Sequence, residues 1–166
     1  MEKIDIKSLN KEQLREEICA MGEKKFRADQ IYDWMHVKLA AGFDEMTNIS
    51  KAFRDQCKER FSYTALEAVR VQKSKCDGTQ KFLFALSDGN VVESVLMPYK
   101  HGNSVCISSQ VGCRMGCRFC ASTLDGLTRN LTTSEMLDQI YSITRITGER
   151  VANVVVMGTG EPLDNY

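Results

Sequence analysis

The strongest chemical signal in the sequence is Cys113-Arg-Met-Gly-Cys117-Arg-Phe-Cys120, three thiols spaced C-x3-C-x2-C. Three thiolates on one short loop can cap three corners of a cubane 4Fe–4S cluster. The fourth iron then lacks a protein ligand and is open to a small chelating molecule. S-adenosylmethionine suits that position through its amine and carboxylate. An electron from such a cluster can cleave the sulfonium to a 5′-deoxyadenosyl radical. Gly116 allows the backbone to turn tightly around the cluster, and Phe119 is placed to pack by the adenine. Two alternatives stand beside this reading. One is a structural zinc site, for which Cys106 could supply a fourth thiolate, although zinc sites usually use C-x2-C pairs. The other is a chance grouping of buried cysteines.

A second segment, Gly158-Thr-Gly-Glu-Pro162, follows the nearly continuous β-branched run Val151–Met157. Such runs belong to strands buried in parallel sheets. Open α/β sheets and barrels place their ligands at the C-terminal ends of such strands. Gly160 lets the backbone approach a ligand, and Glu161 can accept from an ammonium. Alone, the segment also reads as an ordinary strand-to-helix turn. One strand after the cysteine loop, it reads as a cofactor contact.

The elements that must position these groups are legible from periodicity. Ser8 offers a helix cap with Glu12 in the first turn. Leu9, Leu14, Ile18 and Met21 continue the apolar face up to Gly22. A second helix is predicted over 28–40, broken by Gly42, and a third over 50–61, with Phe53, Cys57 and Phe61 four residues apart. Period-two alternation then predicts strands over 65–74, 79–86 and 91–98, joined by two Asp-Gly turns. A strand over 104–108, a helix over 132–148 carrying Met136, Leu137, Ile140, Ile143 and Ile146, and the strand over 151–157 form one βαβ unit. The expected fold class is α+β grading into α/β. A helical accessory domain occupies 1–63, an antiparallel linker unit 64–100, and the start of a (β/α) barrel 101–166. One βαβ unit cannot cover both faces of a parallel sheet, so these 166 residues are expected to be a piece of a longer enzyme.

Composition sets the compartment. The chain is 43% hydrophobic and 27% charged, which suits a soluble globular protein. Lys+Arg and Asp+Glu are equal at 22 each, so no global basic field announces a nucleic-acid binder. The charged N-terminus lacks a signal core, and no apolar run reaches membrane-spanning length. A cytoplasmic protein with no membrane partner is expected, most simply a monomer. Seven cysteines in a reducing compartment are not a disulfide framework, and an odd number cannot pair completely. Cys19, Cys57 and Cys76 are scattered and read as incidental.

Three runs together resemble one family: Cys106-Ile-Ser-Ser-Gln-Val-Gly-Cys113 continuing through Cys120-Ala, then Gly126-Leu-Thr-Arg-Asn-Leu-Thr, then Met157-Gly-Thr-Gly-Glu-Pro-Leu. They are similar to the radical-SAM RNA adenine methyltransferases, and most similar to the RlmN family. That family methylates carbon 2 of an adenine in 23S ribosomal RNA and, in many bacteria, in transfer RNA. Phe26-Arg-Ala-Asp-Gln-Ile-Tyr-Asp-Trp34 resembles its N-terminal accessory domain. The sister Cfr family, acting at carbon 8, shares the cysteine loop but usually lacks a proline matching Pro162. A non-catalytic zinc- or cluster-bearing RNA-binding module is the alternative outside enzymes.

The resemblance implies that Cys113, Cys117 and Cys120 ligate the cluster. It implies that Gly160 and Glu161 contact S-adenosylmethionine and that Glu93 is a proton acceptor. Cys106 is implied to take the ring proton and help resolve a covalent protein–RNA adduct. For Glu93 a solvent-facing strand carboxylate, and for Cys106 a small buried strand residue, are the plain alternatives. The implied mechanism uses one S-adenosylmethionine to methylate a C-terminal cysteine and a second to make the radical. An external electron donor such as flavodoxin is a further implied partner. None of the seven cysteines here matches the methyl-carrying one, so the 166 residues are expected to be inactive alone. Arg114, Arg118 and Arg129 flank the loop and are expected to reach substrate. The twelve basic residues of 1–63 are balanced by twelve acidic ones and read mainly as solvated surface.

Overall fold

A computed structural model describes residues 3–166, which fall into two compact units divided between Ala65 and Leu66. In the first unit, β1 (Ile4–Asp5) pairs in parallel with β2 (Phe61–Ser62), and between them lie α1 (Lys11–Ala20), α2 (Lys25–His36) and α3 (Lys51–Arg60). The helices form because apolar side chains recur at helical spacing. Leu14 and Ile18, Ala28, Ile31 and Met35, and Phe53 and Cys57 are all buried in one core with Phe43, Met46 and Phe61.

The first helix is capped by Asn10, not Ser8. The Asn10 side chain accepts from the N–H groups of Glu12 and Gln13, and Gln13 returns a bond to the Asn10 N–H. Ser8 lies in a 3-10 turn and donates its hydroxyl to Asp5. The second helix starts and ends earlier than expected, and Leu39 follows it with a φ of 56°.

In the second unit, β3 (Glu67–Lys73), β4 (Gln80–Ala85), β5 (Val91–Tyr99), β6 (Gly102–Cys106) and β9 (Val151–Val155) make one mixed sheet in the order β3-β4-β5-β6-β9. The first three junctions are antiparallel and β6–β9 is parallel. Strands from the expected linker and barrel segments therefore share a sheet. Between β6 and β9 come β7 (Gln110–Gly112), β8 (Leu127–Asn130) and α4 (Thr133–Thr147). Phe82, Phe84, Val92, Leu96, Val105, Ile107 and Leu131 form the core with Ile143 of α4.

The α4 helix starts at a capping box between Thr132 and Glu135 and ends at Gly148 in the left-handed conformation, φ 70°. Its buried face is more polar than the apolar periodicity predicted. Asp138, Gln139 and Ser142 are buried, whereas Ile146 is exposed. Among the described residues β9 pairs only with β6, and Val154 and Val155 are exposed. No helix among the described residues is long and apolar enough to cross a membrane.

Glu135 also carries a pH-sensitive linkage. Burial pushes its carboxyl up, but the Arg129 guanidinium and the Thr132 N–H outweigh this and hold it below the usual carboxylate range. Arg129, then Asn90, holds Asp88 low in the same way. A carboxylate with a lowered folded pKa stabilises fully above its unfolded value, and that contribution is lost as pH falls through the folded one. Denaturant midpoints are therefore expected to drop as pH falls below the ordinary carboxylate range. Glu135→Gln should make that drop shallower, and an unchanged slope would refute the linkage.

Candidate functional site

The cysteine loop hangs from a two-stranded hairpin that periodicity did not reveal. Gln110 pairs with Asn130, Val111 with Arg129, and Gly112 with Leu127 across β7 and β8. The base is closed by the Cys113 N–H donating to the Gly126 carbonyl at 2.9 Å. Position 112 requires glycine: φ is 75°, and an added Cβ would stand 2.0 Å from the Gly126 oxygen.

Inside the loop, the Cys120 N–H donates to the Cys117 carbonyl, and the Thr123 hydroxyl donates to the Cys120 carbonyl. Cys113 is buried at the root, Cys117 is exposed at the tip, and Cys120 is intermediate. Phe119 projects into solvent at 95% exposure.

The donor set fits an iron–sulfur cluster: three free thiols on one loop, tethered to a rigid base. The thiols are not gathered, however. Among the described residues, no group of three or more His, Cys, Asp or Glu is assembled to hold a metal ion. By contrast Cys57, one of the scattered thiols, is pushed up to about 12 by burial and by Glu23. It stays protonated and is no ligand candidate.

The turn after β9 is held against the root of this hairpin. The Gly158 N–H donates to the Ile107 carbonyl, and the N–H groups of Ser109 and Gln110 both donate to the Thr159 carbonyl. The Ser108 hydroxyl accepts from the Thr159 N–H, and the Gln110 side-chain oxygen accepts from the Glu161 N–H at 2.8 Å. Glycine is required at 160, where φ is 106° and an added Cβ would lie 2.6 Å from the Gln110 Cβ. Glu161 caps the 3-10 turn Pro162–Asp164 by accepting from the Leu163 N–H. The Ser109 hydroxyl is buried beside Gly160 without a hydrogen-bond partner among the described residues. Removing an unsatisfied buried hydroxyl relieves its desolvation penalty. Ser109→Ala is therefore expected to raise stability by about 1 kcal/mol in denaturant unfolding; a loss of that size would contradict the orphaned state.

Strand register puts Glu93 and Cys106 on one face of the sheet: Cys106 pairs with Val95, and Glu93 lies two residues along the same strand. The opposite face carries Ser94, whose hydroxyl donates to Gln139 of α4. Glu93 is paired with Lys81 at 3.0 Å and is half exposed. Its own carbonyl accepts from the Ser108 hydroxyl, which links its strand to the 158–161 turn.

Two of the three arginines expected to reach substrate are instead tied into the fold. Arg129 is shared by Asp88 and Glu135, and Arg114 pairs with Asp164. The Arg114 guanidinium, then the Gln110 amide, holds the Asp164 carboxyl below its usual range. Gln110, Asn130 and Asp164 were missed as site residues. Their only sequence signal is polarity beside a motif.

With this geometry in hand, the chain can be placed among known proteins. A crystal structure of a radical SAM methyltransferase from Sphaerobacter thermophilus superposes with a TM-score of 0.91 and 41% identity, covering 98% of this chain and 49% of that one. The class of the mixed α/β fold is therefore that of radical SAM methyltransferases. Residues 4–62 match the family described as ribosomal RNA large subunit methyltransferase N-terminal domain, RlmN_N. Proteins named "Probable dual-specificity RNA methyltransferase RlmN" are similar over nearly the whole chain. That of Lachnospira eligens is 70% identical over 98% of this chain, and that of Lachnoclostridium phytofermentans 64% over 99%. The chain spans about half the length of these curated relatives, 46% in both cases. The resemblance read from the motifs is thus borne out: residues 4–62 match the RlmN N-terminal domain, and nearly the whole chain is similar to proteins named RlmN.

Proposed function

We propose that this chain forms part of a radical-SAM RNA methyltransferase acting on carbon 2 of adenine in 23S ribosomal RNA and in transfer RNA. The observation that carries the reading is the joining of the three-cysteine loop and the Gly160–Glu161 turn through the root of one hairpin. When bound, the cluster would supply the electron that cleaves S-adenosylmethionine, held by Cys113, Cys117 and Cys120. Gly160 leaves room for backbone approach to the methionine end, and Glu161 offers a carboxylate to its ammonium. Phe119 is free to swing onto the adenine.

On the open sheet face, Cys106 takes the adenine ring proton, and Glu93 stands on the same face as a second acceptor. Pro162, which opens the 3-10 turn, favours carbon 2 over carbon 8. The radical route also answers a chemical difficulty, since carbon 2 of adenine is a poor nucleophile and polar transfer to it would be slow.

Anaerobic reconstitution with iron and sulfide tests the reading. About four irons per chain, a brown colour and saturable S-adenosylmethionine binding are expected. Stoichiometric zinc without visible absorbance would favour an RNA-binding module instead. None of the seven cysteines matches the family's methyl-carrying thiol, so these 166 residues alone are not expected to yield methylated RNA. Mass spectrometry showing 2-methyladenine after incubation with reductant would refute that expectation.

A further inference from the structure

The Gln110 side chain lies at the junction of three segments, and its oxygen and both amide hydrogens are engaged there. It is 0% exposed. Its oxygen accepts from the Glu161 N–H, and its amide nitrogen donates to Asn130 of β8 at 2.8 Å and to Asp164 at 3.0 Å. A primary amide offers one such acceptor and two donor hydrogens. Its backbone begins β7, at the root of the cysteine loop. Its Cβ fills the space that a side chain at position 160 would need. Asp164, which it binds, also pairs with Arg114, the residue directly after Cys113. Asn165 adds parallel ties by donating to the carbonyls of Ser109 and Leu131.

We propose that Gln110 is a positioning residue that clasps the Gly160–Glu161 turn to the cysteine hairpin, setting the spacing between the two halves of the cofactor site. The role as a cofactor-site spacer rests on the function proposed above; the clasp itself does not. Glutamine suits the position because Glu161 presents an N–H while Asp164 and Asn130 present oxygens. Leucine can satisfy none of these groups. Glutamate keeps the acceptor but sets a carboxylate against Asp164. Adding Asp164→Asn returns a donor to that contact with the polarity reversed.

The test has two arms. In the first, hydrogen exchange is followed on the chain without iron. Gln110→Leu is expected to speed exchange of the Glu161 amide about tenfold, the size of one lost hydrogen bond, and Gln110→Glu, which keeps the acceptor but repels Asp164, by a smaller factor. The amides of β4 and β5 should keep their parental rates, which reports an intact sheet. The Gln110→Glu/Asp164→Asn pair should recover most of the protection.

In the second arm, the reconstituted proteins are titrated with S-adenosylmethionine. The single variants should keep the parental iron content and bind about tenfold more weakly, with the double variant again recovering. Unchanged Glu161 exchange in both single variants would overturn the clasp, as would a double variant no better than Gln110→Glu. Unchanged S-adenosylmethionine affinity would overturn its role in spacing the site. If the parent itself takes up neither iron nor S-adenosylmethionine, the proposed function fails and so does the spacer role, while the first arm still decides the clasp.

Discussion

Cys117→Ala is expected to abolish iron uptake while leaving the stability of the chain within about 0.5 kcal/mol of the parent. The two halves of this result have separate causes. Cys117 is exposed at the loop tip, so its thiol contributes little to packing. Its carbonyl accepts from the Cys120 N–H and from the Thr123 hydroxyl, and alanine keeps both bonds. Iron uptake is different, because a three-thiol site has no spare ligand. Losing one leaves two thiols for a cluster that needs three.

Cys57→Ala should behave in the opposite way. That thiol is 1% exposed inside the first core, so its loss costs roughly 1 kcal/mol of stability and leaves iron untouched. Metal analysis and visible absorbance, read beside denaturant unfolding, separate the two. Full iron content in Cys117→Ala would refute the assignment of the loop.

Asp138→Ala is expected to destabilise the second unit by about 3 kcal/mol. Its carboxylate is fully buried and accepts from the Leu66 N–H at 2.6 Å, from the Ser142 hydroxyl at 3.0 Å and from Arg145 at 3.0 Å. Alanine would strand the Leu66 N–H and take the carboxylate away from the Arg145 guanidinium, which keeps its bond to the Ser142 hydroxyl. Breaking a buried ion pair typically costs about 3–5 kcal/mol. Arg145 retains 22% side-chain exposure, and water can partly re-solvate it, which places the effect at the lower end. Against a domain stability of about 5–15 kcal/mol, such a loss moves the unfolding midpoint well outside error. Asp138→Asn should lose less, since it keeps one acceptor for Leu66. A loss below about 1 kcal/mol for alanine would show that the network contributes little.

These two sites divide along what could be read from the chain. The cysteine loop was legible because ligand spacing is local: three thiols within eight residues limit what they can hold, whatever surrounds them. The same locality placed the ends of α4 near Thr132 and Gly148. Glu93 and Cys106 were named from resemblance, and strand register then put them on one face. Asp138 was missed, because periodicity sorts side chains by apolarity. It cannot foresee an N–H from Leu66, 72 positions away.

The β7–β8 hairpin escaped notice for a related reason. Its strands are only three and four residues long and enclose a loop, so neither shows a full alternation.

The three-thiol loop, the helices and most of the strands follow from residues a few positions apart. The meeting of Gln110, Asn130, Glu161 and Asp164, the burial of Asp138 and the hairpin that carries the loop follow from contacts between distant segments. Hydrogen bonds between distant segments have no sequence period. They exist only once hydrophobic burial has brought those segments within 3 Å of each other.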